Sequence, residues 1–190
     1  MIRRERAKTG TVAPLQDLVL GSRRETESLG RALGRLVEGG HVLALMGDLG
    51  AGKTTFVRGM MAGLGAPPGS VSSPTFTFLH QYQARLPVNH IDFYRLRSPE
   101  EADAIGLSEC FNDDTVTAIE WADRFPSLLP RDRFVVRFAH LTPRSRTVRF
   151  EAQGPRSRLL LTHIQKAWRP MRRSRSSQSK LYTDNKVRRP

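Results

Sequence analysis

The chain has 190 residues and a formal net charge of +13, and Cys110 is its single cysteine. That length makes one domain the default and allows a real core. One thiol excludes a disulfide framework and a cysteine zinc site, and the absence of an apolar run long enough to span a bilayer excludes a helical membrane anchor.

The first residues, MIRRERAKTGTVAPL, are basic and lack the apolar stretch of a secretory signal. Residues 1–14 read as a loose arm, and a cytoplasmic location is expected. Leu29, Ala32, Leu33, Leu36 and Val37 recur on one helix stripe, which Gly39-Gly40 should end. VLALM, Val42 to Met46, is a short unbroken apolar run bounded by glycines, the pattern of a strand buried on both faces. Gly47 to Gly52 is a loop. Lys53 to Leu64 reads as a helix stopped by Gly65 and Pro67-Pro68.

SSPTFTFLHQY opens on a turn signal and continues as an alternating strand through Phe76, Phe78 and His80. VNHIDFYRL is a second such run. Ser98, Pro99 and Glu101 form the start of a capping-box helix that should fail near Gly106. Thr115 to Glu120 is another buried strand. RFVVRFA and RTVRFEA, split by a turn at Pro143, predict an antiparallel hairpin.

After Gly154, LLLTHIQKAW suits one helix, and RRSRSSQSK is basic and of low complexity. Residues 155–190 carry 11 Lys or Arg against one acid, Asp184, a net of +10, which leaves +3 for residues 1–154. Such a tail can bind nucleic acid through counterion release, or stand as a solvated disordered extension.

Strands alternating with helices predict a three-layer α/β fold with a mixed, mostly parallel sheet and a C-terminal antiparallel hairpin. The expected division is a flexible arm over 1–20, a P-loop domain over 21–154 and a basic, partly disordered extension over 155–190.

GDLGAGKT has the form G-x-x-x-x-G-K-T. Gly47, Gly50 and Gly52 let the backbone curl around phosphates with its N–H groups turned inward. The helix starting at Lys53 adds its positive end. Lys53 can reach the β- and γ-phosphates, and the Thr54 hydroxyl can bind Mg²⁺. Asp48, Leu49, Ala51 and Thr55 complete the nucleotide-binding set.

Hydrolysis also needs an acid at the end of a buried strand beside the loop. V-N-H-I-D ends on Asp92 and V-T-A-I-E on Glu120. One can hold the metal, the other orient or deprotonate the attacking water. Thr75 follows the phosphate-binding helix by one connection, where a γ-phosphate sensor often sits; it equally suits a plain strand start. His90 can touch the site, or pack, or face solvent. Trp121 reads as core, and Arg95 and Arg97 as exposed unless they stabilise charge. The absence of N-K-x-D points to ATP rather than GTP.

GDLGAGKTTFVRG, SPTFT, HIDFYRL, the PEE helix and the EW pair, in that order, resemble the bacterial TsaE family, the ATPase of tRNA threonylcarbamoyladenosine biosynthesis. The resemblance spans about Thr26 to Glu151. It implies that Lys53 and Thr54 hold phosphates and Mg²⁺, that Glu120 is the second Mg²⁺ ligand, and that Asp92 serves near the γ-phosphate. It implies a switch-like segment at Thr75, a functional Trp121 at the nucleotide, and an adenine wall over Val19 to Thr26. It also implies TsaB-like and TsaD-like partners that modify adenosine 37 of tRNAs reading codons that begin with A. The basic extension departs from the family pattern, and could touch tRNA or be dispensable. Two rival readings share the loop: a small-molecule or nucleotide kinase, and a nucleic-acid-binding module with a regulatory nucleotide.

Overall fold

The computed structural model describes residues 17–179, with side chains as far as Trp168. The expected arm over 1–14 and the end of the basic extension, 180–190, lie outside the described residues.

Seven strands form one sheet, in chain order β1 (Leu18–Leu20), β2 (Val42–Met46), β3 (Leu79–Tyr82), β4 (Val88–Asp92), β5 (Val116–Glu120), β6 (Arg133–His140) and β7 (Arg146–Gln153). Their spatial order is β1-β7-β6-β2-β5-β4-β3. β6, β2, β5 and β4 run parallel, while β7, β1 and β3 pair antiparallel. The mostly parallel sheet is therefore its centre, and both edges are antiparallel.

Alternation along the strands divides the core. Leu43 and Leu45 of β2 join Phe134, Val136 and Phe138 of β6 under α1 (Arg23–Gly34), α2 (Lys53–Gly63) and α4 (Pro155–Ser179). Val42, Ala44 and Met46 face the other way, with Ile91, Phe93 and Ile119, under the short α3 (Pro99–Ala104) and 3₁₀ turns. Among the described residues no helix is long and apolar enough to cross a membrane.

α1 and α2 touch backbone to backbone through glycines on both helices. A Cβ on Gly30 would stand 2.2 Å from the Phe56 carbonyl, and one on Gly59 would stand 2.1 Å from that of Glu27. This contact seats α2, and with it the loop that precedes it, against the rest of the fold.

Four expectations are corrected. α1 stops at Gly34 rather than at Gly39-Gly40: the Leu33 carbonyl is shared by the Leu36 and Val37 amides in a tightened last turn, and Arg85 takes up the Gly34 and Val37 carbonyls. The strand expected over Phe76 and Phe78 is a turn: the Pro74 carbonyl accepts from Thr77 and Phe78, and Phe78 takes φ 64°, so β3 begins only at Leu79. The capping box at Ser98 is not formed; Glu101 instead accepts from the Arg97 amide, at 2.8 Å.

The last correction concerns the domain limits. β1, inside the expected arm, pairs with β7. α4, inside the expected extension, buries Leu160, Leu161, Ile164 and Trp168 in the main core. Apolar residues at helical spacing fold the start of the extension onto the sheet.

Candidate functional site

β2 ends at Met46, and the chain turns through Gly47 to Gly52 into α2. Gly47 has φ 133° and Gly52 φ 112°, a region open to glycine and closed to most side chains. Gly47 also lies so close to β6 that a Cβ would sit 2.3 Å from the Phe138 carbonyl. The loop is held from its outer side by His140, whose ring nitrogen is 3.1 Å from the Leu49 carbonyl. Ala51 is fully buried and offers only its backbone.

A cavity of about 210 Å³ opens above this loop, lined by Leu49, Gly50, Gly52, Lys53, Thr54, Thr55, Ser73, Thr75, Asp92, Tyr94, Glu120 and Trp121. Gly47, Asp48 and Ala51 belong to the loop without lining it. Three larger clefts, of about 260, 360 and 420 Å³, contain none of Lys53, Thr54, Asp92 and Glu120. The 360 Å³ cleft touches the loop only at Gly47 and carries the Arg149–Asp17 pair, and the 420 Å³ cleft carries the Arg23–Glu27 pair.

The acids come to the cavity as strand ends. Asp92 and Glu120 are register partners at the last positions of the parallel pair β4 and β5, and both are buried. Thr54, on the first turn of α2, donates to Glu120 Oε2 at 2.9 Å. The other oxygen of Glu120 is 2.8 Å from His90 Nε2. Asp92 accepts from the Thr75 hydroxyl through Oδ2 and from the Tyr94 amide through Oδ1, the latter at 2.9 Å. Ser73 extends this cluster, 2.8 Å from Thr75. Thr75 therefore sits on an acid of the site from a turn, not from a strand.

Lys53 is buried, and its Nζ donates to the Gly47 and Asp48 carbonyls. Burial pulls its pKa below the ordinary lysine value, and the carboxylates of Glu120, Asp92, Asp123 and Asp48 only partly oppose that. The ammonium lies 3.8 Å from the centre of the Trp121 ring. Trp121 takes φ 58°, a left-handed turn directly after Glu120 that lays its ring over Lys53, and Tyr94 packs on it at 4.9 Å. Trp121 is a wall of the site rather than core.

Thr54 and Glu120 present a hydroxyl and a carboxylate to one point, with Asp92 one strand away. These hard oxygen donors fit Mg²⁺, which takes one or two protein ligands and completes its shell with water and phosphate oxygens. Among the described residues no three His, Cys, Asp or Glu gather to hold a metal unaided, and that mode of binding needs none.

Arg95 stacks over Phe76 at 4.9 Å, and neither it nor Arg97 lines the cavity. Of the candidate adenine wall, Thr26 is beside the loop and Val19 is exposed. Arg146 of β7 donates to Thr26 at 3.1 Å and comes within 3.2 Å of a Cβ built on Gly52. Sequence reading missed Arg146, His140 and Tyr94, because their neighbours are far away along the chain. For Tyr94 a signal existed, since it follows Asp92 by two residues.

The family model of the threonylcarbamoyl adenosine biosynthesis protein TsaE matches residues 20–148. The chain belongs to the TsaE family. It is 46% identical over 109 residues to the tRNA threonylcarbamoyladenosine biosynthesis protein TsaE of Treponema pallidum, covering 57% of this chain and 80% of that one. With the Bacillus subtilis protein of the same name it shares 36% over 141 residues, 74% of this chain and 87% of the relative. The crystal structure of YdiB from Bacillus subtilis superposes with a TM-score of 0.70 at 30% identity, over 83% of this chain and 98% of that one. The P-loop fold and the nucleotide-binding character of the site agree with this membership.

Proposed function

We propose that the protein is a Mg²⁺-dependent ATPase that serves threonylcarbamoyladenosine modification of tRNAs reading codons that begin with A. It would act in the cytoplasm with TsaB-like and TsaD-like partners. The observation that carries the reading is the convergence of Thr54 and Glu120 at the mouth of the glycine loop, with the Thr75–Asp92 pair beside it.

In this reading the amides of residues 47–54 wrap the phosphates, and Lys53 leaves its loop carbonyls for the β- and γ-phosphates. Thr54 and Glu120 hold Mg²⁺, which would neutralise charge on the phosphates during transfer. Asp92 orients the attacking water and takes its proton as the new bond to phosphorus forms and the bond to the bridging oxygen of ADP breaks. Thr75 holds Asp92 and links its turn to the state of the γ-phosphate. Trp121 covers Lys53 and borders the nucleotide.

Phosphate release by the purified chain, alone and with the two candidate partners, tests the reading. Slow turnover that the partners stimulate is expected, together with loss of ATP binding or turnover in Lys53→Ala. Full turnover in the Asp92→Ala, Glu120→Ala double variant would overturn it. Truncation of the basic extension beyond Trp168, with RNA affinity measured against salt, tests whether that segment touches tRNA; an unchanged, shallow salt slope counts against it.

A further inference from the structure

His90 has no part in the chemistry described so far, yet it is fully buried in the middle of β4. Its register partner on β5 is Ala118, whose methyl leaves room for the imidazole to reach diagonally along the sheet. Nε2 ends 2.8 Å from Glu120 Oε1. Nδ1 is buried and has no partner. The Tyr82 ring packs beside it, 6.4 Å between centres at 35°.

These contacts choose one arrangement of the ring. A carboxylate oxygen accepts, so Nε2 carries the hydrogen. A hydrogen on the unpartnered Nδ1 would be a buried orphan donor, the costlier kind of unsatisfied group. A histidine that merely filled space at this position would gain nothing from being polar.

We propose that His90 is a positioning residue for the metal site. By donating Nε2–H to Oε1 it fixes the rotation of the Glu120 carboxylate, so that Oε2 faces Thr54, where Mg²⁺ would be held. It never touches nucleotide or metal. Outer partners of this kind matter to metal binding by about 10–100-fold. The inference rests on the Mg²⁺–ATP reading above.

The test uses the full chain and a non-hydrolysable ATP analogue, with affinity measured in Mg²⁺ and in EDTA. Asn at 90 offers an amide one bond too short to reach Glu120, whereas Gln carries its amide nitrogen as far as imidazole Nε2. His90→Asn is expected to lose about tenfold or more of the Mg²⁺ enhancement while its affinity in EDTA stays within about twofold. His90→Gln is expected to recover most of that loss.

Histidine ¹⁵N spectra of the unmodified, metal-free chain should show the hydrogen on Nε2, which keeps the inference open to refutation even if a variant folds poorly. Hydrogen on Nδ1, or full Mg²⁺ enhancement in His90→Asn, overturns the inference and leaves the Mg²⁺–ATP reading standing. No Mg²⁺ enhancement in the unmodified chain overturns that reading and the inference with it.

Discussion

The Lys53 ammonium rests on the face of Trp121, 3.8 Å from the ring centre, while it donates to two carbonyls of its own loop. The lysine that should meet phosphate is thus held by groups that phosphate would replace. Nucleotide binding must draw Lys53 off the loop carbonyls, and the indole above it will sense the change. The chain has two tryptophans, so Trp168→Phe leaves Trp121 as the reporter. A saturable change in Trp121 emission on adding nucleotide is expected in that background. Lys53→Met should abolish the response and weaken binding at least about tenfold, the scale of one charge-assisted contact of about 1.5–3 kcal/mol. Binding seen by calorimetry without any change in emission would refute the coupling.

The same lysine is a liability to the fold. Burial lowers its pKa from the ordinary value of 10.5, so the folded chain releases the proton before the unfolded chain does. Between the two values the unfolded state holds more protons, and stability rises with pH across that window. Below the folded value the penalty is fully present. Lys53→Met removes it, and the Gly47 and Asp48 carbonyls that are released lie on the partly exposed loop, within reach of water. The variant is expected to melt higher at pH 7.5, each kcal/mol gained being about 2–4 °C for a chain of this size. The difference between the two chains should shrink as pH approaches 10.5. A variant that melts lower at neutral pH would show that the contacts of Lys53 outweigh its desolvation.

Asp92 receives a donor on each oxygen, Thr75 on one and the Tyr94 amide on the other. Asparagine at 92 can accept on only one side, and its amide must confront the other donor. Nucleotide binding should stay within about threefold, because neither donor belongs to the phosphate loop, while turnover should fall about 100-fold or more, the range for a lost general base. Thr75→Val keeps the shape without the hydroxyl and should lower turnover by about tenfold, the scale of one hydrogen bond to a charged group. Single-turnover phosphate release separates the two effects. Equal losses of binding and turnover in Asp92→Asn would point to collapse of the site instead.

What the sequence made legible is what local pattern encodes. Lys53 and Thr54 stand in fixed register behind the glycines. Asp92 and Glu120 each close a buried run, so their place at one sheet edge follows from the strands being parallel neighbours. His90 was ambiguous, because a polar residue inside a strand looks the same whether it faces water or a carboxylate 30 positions away. Gly30 and Gly59 carried no signal, since their role exists only where two helices cross. Phe76 and Phe78 misled because alternation suggests a strand, and the Pro74 carbonyl that captures two amides is a local competitor the alternation does not reveal.

α4 starts with no side chain of its own to cap it, because Gly154 precedes Pro155. Asp132, at the end of the loop before β6, supplies the cap from 25 residues away: it accepts from the Ser157 amide at 3.0 Å, the Ser157 hydroxyl at 2.7 Å and the Arg156 amide at 2.8 Å. Burial tends to raise the pKa of Asp132, and the hydrogen bonds from Ser157 and Arg156 together outweigh it and hold the carboxyl below the ordinary 3.8. Its stabilising effect is therefore fully present above the unfolded value and is lost as pH falls through the lower folded value. Asp132→Ala should cost about 1 kcal/mol, the usual loss of a helix cap, or about 2–4 °C in melting temperature at pH 7. The deficit should narrow in acid below pH 3.8. Amides in the first turn of α4 should exchange faster in the variant, while those of β2 and α2 keep their protection. A deficit that stays constant from neutral pH into acid would mean that the carboxylate charge contributes nothing to the cap.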